Sequence, residues 1–471
     1  MSNGSLTDLL AAWLPRQRWF AGGGAGIRNL TMSSDVTLAA GDPELRHLLA
    51  DVSIGEETVR YQVPVGLRTA LPPGLRPARI GTAPDGRIAY DGMADPELAA
   101  VLLRGIASHR QAGPLRFAAQ PDPEIDQAAA GRTLPALASN TSVVFGDQAI
   151  LKIFRRPFQG HHPDLEIPAR LASSGSKLVA APLGWIELPA GAAHQTDATA
   201  TVAAHQTDAA ATGLPGLPDG DSTVLAILSE FFPAATDGWS LAAASLDARP
   251  PDFTAQAHLL GQVTARLHAE LAAAFGTSPQ PRLALAELAT TMAAELTRAI
   301  EIVPRLREYE QRIRASYAEL DRLDAPVTIQ RIHGDYHLAQ VLSTERGWVI
   351  LDFEGEPSVP LARRRAFAPP LRDVAGMLRS FDYAGRHQVL RRPADQRLKV
   401  TAADWIRRCQ DAFLAGYAEA ERADPGLHGP LLRALIFQKA VYEAVYEARH
   451  RPGWLPIPLG AIAEAAYDSD R

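Results

Sequence analysis

Cysteine and lysine are both scarce in this chain of 471 residues. The single cysteine, Cys409, excludes an internal disulfide bond and a zinc site built from cysteines. Of the 47 Lys and Arg residues, four are lysines: Lys152, Lys177, Lys399 and Lys439. Arginine is the ordinary cation here, which indicates a GC-rich coding sequence of the actinobacterial kind. Each lysine is therefore a position where a compact ammonium could matter.

The chain also lacks a large charge excess and a long apolar run. Its 47 cations and 53 acidic residues give a net charge of -6, which leaves no long basic face for nucleic acid. The apolar run at residues 9–14 is too short to span a membrane and has no basic segment before it. We expect a cytoplasmic monomer that binds neither nucleic acid nor a membrane. At about 100–200 residues per domain, the length allows two to four domains.

The residue patterns change along the chain. Residues 1–90 combine a leading helical pattern with short β-type runs, and residues 91–234 include two β-branched runs around the turn Gly146-Asp147, a hairpin signal. Residues 190–220 contain AHQTDA twice, which predicts a disordered surface insertion. Helical patterns dominate residues 235–471. This order predicts an α+β fold with a β-rich front and a mainly helical rear.

The clearest chemistry lies in residues 327–356. A β-branched run ends at the tripeptide HGD, which contains Asp335, and a second apolar run ends at Asp352. If the two runs pair as a hairpin-like unit, both carboxylates lie at its open end. Phosphoryl transfer uses one carboxylate for the proton of the acceptor hydroxyl and oxygen ligands for magnesium beside the nucleotide phosphates. We predict Asp335 as the base and Gln340 and Asp352 as magnesium ligands, with Glu354 either contacting the metal through water or orienting the loop.

The first lysine fits the same chemistry. Lys152 follows an apolar strand pattern, and Glu166 lies fourteen residues later at the start of a helical pattern. Kinases hold the α- and β-phosphates with a strand lysine that a helix glutamate orients. The alternative is a surface lysine on an edge strand. Beside Asp335 and Asp352, the kinase interpretation is favoured, and it predicts ATP and Mg²⁺ as cofactors.

Several segments of the chain form one specific combination: WLPRQRWF, SNTSVVF, AILKIFRR, HGDYHLAQVL, LDFEGEP, LRDVAGMLRSFDYA and YEAVYEARHRPGWLPIPL. They resemble the bacterial maltokinases and the related actinobacterial glucosamine kinases, which belong to the aminoglycoside-phosphotransferase branch of the eukaryotic-like kinase fold. The resemblance implies a bilobal kinase with an N-terminal cap at 1–90, an intermediate and N-lobe part at 91–234 and a mainly helical C-lobe at 235–471.

The resemblance also implies roles for individual residues. It gives the proposed roles to Asp335, Gln340, Asp352 and Lys152, with Glu166 as the partner of the lysine. It further implies a phosphate-covering loop formed by Ser139, Asn140, Thr141 and Ser142. It also implies a hinge whose backbone holds adenine, formed by Ser229, Glu230 and Phe231. The chain departs from maltokinases at AGGGAG after Phe20 and at residues 436–439, where an acidic segment is common.

The sugar contacts are predicted from the C-terminal helices. Candidates are His337, Asp411, Gln438, Glu443, Tyr446 and Trp405, the last being alternatively a core residue. Carboxylates would favour the cation of an amino sugar. We predict His333 to fix the catalytic loop and Arg372 and Asp373 to form an ion pair that braces it. The favoured function is a glucosamine kinase that makes glucosamine 6-phosphate; the alternatives are a maltokinase that makes maltose 1-phosphate and a nucleotide-binding pseudokinase scaffold.

Overall fold

The computed structural model describes residues 5–21, 26–121, 123–134, 140–191, 217–218, 220–323, 326–356, 359, 361–421 and 429–468. The chain forms two compact units. The first unit comprises Met1–Ala172 and Ala180–Pro233, and the second comprises Ser173–Val179 and Ala234–Arg471. Most of the predicted insertion at 190–220 lies outside the described residues. The predicted division into cap and N-lobe at residue 90 stays a prediction.

The first unit is rich in strands, as the sequence predicts. Its helices are α1 Leu6–Trp13, α2 Pro96–Ala107 and α3 Pro163–Ser173. Its strands are β1 Ile27–Ala39, β2 Glu44–Ile54, β3 Glu57–Arg68, β4 Arg79–Thr82, β5 Ile88–Asp91, β6 Gln111–Ala112, β7 Leu115–Ala119, β8 Gly131–Thr133, β9 Thr141–Phe145, β10 Ala149–Ile153, β11 Pro182–Leu188 and β12 Thr223–Glu230.

These strands form two sheets that share a hydrophobic core. The five-stranded sheet has the order β1-β2-β3-β5-β4, and the seven-stranded sheet has the order β6-β7-β11-β12-β10-β9-β8. The predicted hairpin is confirmed, since β9 and β10 pair antiparallel around a turn in which Gly146 has a φ of 54°. Alternate β10 residues, Ala149, Leu151 and Ile153, enter a cluster that includes α2 and residues of β2. This alternation leaves Lys152 on the opposite face.

The second unit is mainly helical. Its strands are β13 Thr236–Asp237, β14 Thr277–Gln280, β15 Val327–Gln330, β16 Val341–Thr344 and β17 Gly347–Ile350. Its helices are α4 Gly238–Ser245, α5 Thr254–Phe275, α6 Arg282–Ile302, α7 Glu310–Ala318, α8 Leu361–Arg364, α9 Leu371–Arg391, α10 Gln396–Glu421, α11 Gly429–His450 and α12 Pro456–Asp468. A β-rich front and a helical rear are therefore confirmed. Over the described residues, no helix combines the length and apolar character needed to cross a membrane.

The strand pairing in the second unit differs from the sequence prediction. The two runs that end before Asp335 and Asp352 do not pair with each other. β15 pairs with β14, and β17 pairs with β16 through the turn at residues 345–347. The predicted turn at residues 345–347 is present, but it joins β16 to β17. The first strand of this hairpin, β16, therefore follows the loop that contains Asp335, whereas the prediction had that strand before the loop. A run of four apolar residues carries no information about which distant strand it meets.

Candidate active site

Asp335 lies in the loop between β15 and β16, and His333 fixes this loop as predicted. The His333 ring bonds the Leu351 carbonyl through Nε2 at 2.8 Å, and the Asp335 amide donates to its Nδ1 at 3.3 Å. Leu351 directly precedes Asp352. His333 therefore connects the loop that carries Asp335, called the base loop below, to the end of β17. It links the segments that carry the two carboxylates, a connection that the sequence had predicted as strand pairing.

Asp373, on the first turn of α9, braces the loop from the other side. Its carboxylate accepts hydrogen bonds from the amides of His333 and Gly334 at 2.8 and 2.9 Å. The predicted ion pair with Arg372 is corrected: Nε2 of His268 on α5 lies 3.2 Å from the Asp373 carboxylate, whereas Arg372 is exposed. Gly334 has a φ of 86°, a conformation that glycine adopts without a side-chain clash.

The predicted magnesium ligands lie together at the end of β17. The Gln340 side-chain amide donates to Asp352 Oδ2 at 3.0 Å, and carboxylate oxygens of Asp352 and Glu354 lie within 4.8 Å of one another. Asp352 has a φ of 62°, which is uncommon for a non-glycine residue and frequent at functional sites. An amide oxygen and two carboxylates are the hard oxygen donors that magnesium prefers, so this set fits the ion.

Lys152 has a carboxylate partner within the first unit. Its Nζ lies 2.8 Å from Oδ2 of Asp164, in the first turn of α3, and its side chain is 23% exposed. The expected partner was Glu166, two residues further along the same turn, and that pairing stays a prediction. Asp164 was the missed residue; its position at a helix start beside the expected glutamate was the available signal.

The strand register separates the residues of the predicted phosphate-covering loop. Ser142 of β9 is directly opposite Lys152 and shares its face of the sheet. Thr141 faces the other way, is 6% exposed, and its hydroxyl accepts a hydrogen bond from Arg155 at 2.8 Å. The prediction for the Thr141 side chain is therefore corrected to an interior role. Asn140 lies just before β9, and Ser139 lies outside the described residues.

The predicted hinge lies at the end of β12. The amide of Glu230 donates to the Ala181 carbonyl at 3.0 Å, and the amide of Phe231 donates to the Gln148 carbonyl at 2.8 Å. Ser229 pairs with Ile150 inside the sheet. Because each amide has one proton, adenine would have to use other backbone groups of this segment. An adenine contact here stays a prediction.

A cavity of about 580 Å³ adjoins Asp335 within the second unit. Its volume lies in the range of small-molecule sites. Residues of α6, α7, α8, α9 and α11, of the loop that carries Asp335 and of the segment after β17 line it. The charged, aromatic and amide side chains of the lining are Glu295, Asp335, Glu356, Asp373, Arg298, Arg363, Arg364, Arg372, Arg449, Lys439, Tyr317, Tyr336, Tyr442 and Gln438.

Of the six predicted sugar contacts, Gln438 lines this cavity. The structure corrects Trp405, which is fully buried and donates its indole N–H to Ser245 at 3.1 Å. Glu443 does not line the cavity, because Arg379 holds its carboxylate through two nitrogens at 2.7 and 2.9 Å. Asp411 and Tyr446 are exposed on α10 and α11 outside the cavity lining. Helical spacing alone did not show which face of α11 meets the cavity, nor that α10 contributes no residue to its lining.

His337, the sixth candidate, is a neighbour of the base instead. Its Nε2 lies 3.9 Å from Asp335 Oδ2, and it is not among the residues that line the cavity. Burial lowers the pKa of His337, although the Asp335 carboxylate opposes this effect. The imidazole is therefore neutral at neutral pH, and its proximity to the base is the role that the described contacts support.

Lys439 of α11 is a site residue that the sequence did not identify. Its Nζ lies 3.3 Å from Oδ1 of Asp335 and also bonds Glu356. Burial opposes the charge of Asp335, but Lys439, His337 and His333 together hold the pKa of Asp335 below 3.8. The available signals were the rarity of lysine and the unusual segment at residues 436–439.

Comparison with known proteins agrees with this geometry. A family model described as the maltokinase N-terminal cap domain matches residues 13–95. The glucosamine kinase of Streptacidiphilus jiangxiensis is 32% identical over 337 residues, covering 68% of this chain and 70% of the relative. The glucosamine kinase of Mycolicibacterium smegmatis is 28% identical over 346 residues, covering 69% of this chain and 76% of that relative.

Solved structures give the same result for the fold. A glucosamine kinase, in its second crystal form, superposes with a TM-score of 0.67 at 25% identity, covering 98% of this chain and 99% of that chain. A glucosamine kinase in complex with glucosamine, ADP and inorganic phosphate superposes with a TM-score of 0.66 at 24% identity and the same coverage. Fold and site thus define a phosphotransferase of the kinase fold. The chain belongs to the glucosamine kinase family.

Proposed function

We propose that this protein is an ATP- and magnesium-dependent glucosamine kinase that phosphorylates the 6-hydroxyl of D-glucosamine. Membership of the glucosamine kinase family supports the reaction class. The observation that carries the proposal in this chain is the position of Asp335, which lines a cavity of about 580 Å³ together with the carboxylates Glu295 and Glu356. The lining also carries five arginines and Lys439, and Lys439 pairs with Asp335 and Glu356, so the case for a cationic acceptor rests on Glu295.

The residues divide the work of the reaction. Asp335 takes the proton of the acceptor hydroxyl while that oxygen bonds the γ-phosphorus, and the bond between this phosphorus and the ADP oxygen breaks. Gln340, Asp352 and Glu354 would hold magnesium, which neutralises phosphate charge when bound. Lys152 would hold the nucleotide phosphates as a compact cation. These assignments rest on residue type and on the contacts described above.

Glu295 is the proposed binding group for the ammonium of the sugar. Gln438 donates its side-chain amide to Glu295 Oε2 at 2.9 Å, which orients the carboxylate without neutralising it. Within the described part of the chain, Glu295 forms no ion pair. A half-buried carboxylate of this kind favours a cationic amino sugar over neutral glucose.

Maltose is the second candidate acceptor, because the match to the maltokinase cap covers residues 13–95. A pseudokinase scaffold is disfavoured, since a scaffold needs neither Asp335 nor the oxygen cluster of Gln340 and Asp352. The cytoplasmic location and monomeric state expected from composition stay predictions.

Acceptor choice is tested by ADP release with glucosamine, glucose, maltose and an aminoglycoside, each over a range of concentrations. We expect the highest kcat/KM with glucosamine and a product phosphorylated at the 6-position in its NMR spectrum. Asp335→Asn is the matched control, which should bind ATP and lose turnover. Turnover of maltose alone would overturn the glucosamine assignment and leave the kinase assignment intact.

A further inference from the structure

Lys439 is the lysine in the cavity wall, and it contacts two carboxylates at once. Its Nζ lies 3.3 Å from Asp335 Oδ1 and bonds Glu356 Oε1, while the ring of Tyr442 lies 5.2 Å away. The Lys439 side chain is 25% exposed, so the ion pair is partly removed from water. An ion pair in this setting is stronger than one on an open surface.

The contact with Lys439 gives the two carboxylate oxygens of Asp335 different surroundings. Lys439 holds Oδ1, whereas Nε2 of the neutral His337 lies 3.9 Å from Oδ2. A carboxylate held at one oxygen has a defined plane, and its second oxygen keeps a fixed direction. The proton of the acceptor hydroxyl therefore has one defined destination, Oδ2.

Lysine suits this position better than the arginine that the chain uses elsewhere. An ammonium donates in three tetrahedral directions and can bridge two separate carboxylates, here Asp335 and Glu356. A guanidinium can also bridge two carboxylates, as Arg379 does with Asp382 and Glu443. Its planar fork can in addition pair with both oxygens of one carboxylate, which at this position would engage Oδ1 and Oδ2 together. Lys439 thus leaves free the oxygen that an arginine in its place would tend to occupy.

We propose that Lys439 is a positioning residue of the phosphoryl transfer, which fixes Asp335 through Oδ1 so that Oδ2 receives the acceptor proton. This inference rests on the proposed function, because it assigns Asp335 as the base. Burial opposes the charge of Lys439, but Asp335, Glu356 and Glu443 raise its pKa, so the ammonium stays charged at neutral pH. The titratable groups that face Asp335 are the Lys439 ammonium from α11 and the imidazoles of His333 and His337 from its own loop.

The test compares Lys439→Met and Lys439→Arg with wild type in steady-state kinetics at pH 3.5–9, a range that reaches the acid limb of wild type. For Lys439→Met we expect kcat to fall about 10- to 100-fold while KM for ATP changes less than about threefold, because the base loses its orientation and not the nucleotide site. Without the ammonium, the pKa of Asp335 rises, so the acid limb of kcat/KM moves to higher pH. Lys439→Arg should restore the acid limb and recover part of kcat.

Lys399→Met is the matched control, since Lys399 is exposed on α10; it should behave as wild type. A Lys439→Met enzyme with kcat within about threefold of wild type and an unmoved acid limb would overturn the proposal. If that variant does not fold, as judged by circular dichroism, Lys439→Gln is measured by the same criteria. Failure of the proposed function can be told apart from failure of this inference. If the function is wrong, the wild-type enzyme itself does not turn over glucosamine. The Lys439 variants are then compared with wild type on whichever acceptor supports ADP release.

Discussion

Two of the four lysines lie beside carboxylates, one in each unit. Lys152 pairs with Asp164 in the first unit, and Lys439 pairs with Asp335 and Glu356 in the second. Lys177 and Lys399 are exposed. Two of the lysines, Lys152 and Lys439, are therefore candidates for a functional role, and the side chains of both are partly buried. The scarcity of lysine was informative because arginine serves for ordinary surface charge.

At Lys152 we predict that arginine is a poor replacement. The guanidinium is longer and planar, so it would displace Asp164 and meet the phosphates in a different geometry. Lys152→Arg should raise KM for ATP by about 10-fold or more, with thermal stability near that of wild type, as measured by ADP release and by thermal unfolding. Lys177→Arg, on an exposed residue, is the control. If both variants have the same KM for ATP, Lys152 does not bind the nucleotide phosphates and is an ordinary strand lysine.

At Glu295 we predict a change in acceptor choice. Glu295→Gln keeps the shape of the side chain and removes its charge. The variant should therefore lose affinity for the cationic glucosamine and keep its affinity for neutral glucose. KM for glucosamine should rise about 10-fold, which corresponds to about 1.4 kcal/mol, while KM for glucose stays within about twofold. Parallel kinetics with the two sugars measure this difference. An equal effect on both sugars would mean that Glu295 does not bind the amine.

At the scale of elements, one face of α9 holds the catalytic loop. Asp373, Gly376 and Ser380 follow one another at helical spacing. Asp373 binds the amides of His333 and Gly334, and the Ser380 hydroxyl accepts from the Leu338 amide at 3.0 Å. Between them, Gly376 allows the backbone of the loop to approach closely. A Cβ at this position would lie 2.6 Å from the Tyr336 carbonyl oxygen.

Gly376→Ala therefore tests the contact between α9 and the loop. Alanine gains up to about 1 kcal/mol of helix propensity, but its methyl group must push the base loop away. We expect kcat to fall about 10- to 100-fold, since a small displacement of a catalytic group is costly, while ATP affinity measured by calorimetry is retained. Gly429→Ala on α11, where a Cβ meets nothing within 4 Å, should leave kcat unchanged. Wild-type kcat in Gly376→Ala would contradict the close-contact argument.

At the scale of the molecule, both units bury apolar side chains and ionic groups; Arg155 at 1% exposure is an ionic example in the first unit. The first unit is built around apolar clusters that include residues of both of its sheets. The second contains buried ionic groups, among them Asp373 at 1% exposure and Arg379 at 3%. Removing one member of such a group leaves its partner charged and desolvated, which costs about 3–5 kcal/mol. Stability of the helical unit should therefore depend on pH.

Asp373 allows the sign of this dependence to be predicted. Burial favours its neutral form, but the hydrogen bond from His268, the nearby histidine charges and the Gly334 amide lower its pKa below 3.8. A lowered folded-state pKa stabilises the fold above the unfolded pKa, and this contribution is lost as pH falls from about 5 through the folded value.

Urea unfolding of Asp373→Asn at pH 3.5–7 measures this contribution. The variant should be less stable at pH 7, and its stability should fall less steeply below pH 5, by at most about 1.4 kcal/mol per pH unit. Parallel curves for variant and wild type would show that Asp373 does not carry the acid dependence.

Local patterns in the sequence determined much of this protein. The β-rich front, the helical rear, the β9–β10 hairpin and the positions of Asp335 and Asp352 at run ends follow from spacing and from turn residues close together in the chain. The loop contacts of His333 and the proximity of Gln340, Asp352 and Glu354 were also predictable, because HGD and its downstream aspartate lie within twenty residues; the magnesium role of the three stays a prediction. Such features depend on neighbours in sequence.

Tertiary packing alone decided the rest. Lys439 reaches Asp335 across 104 positions, Gln438 reaches Glu295 across 143, and β15 pairs with β14 rather than β17. Which face of α11 meets the cavity was also undecided, so Glu443 was placed at the sugar site, whereas it pairs with Arg379. For Trp405 the sequence left core and sugar site open, and packing decided for the core. Side-chain burial and charge pairing depend on which elements pack together, and a short apolar stretch has the same pattern whichever partner it meets.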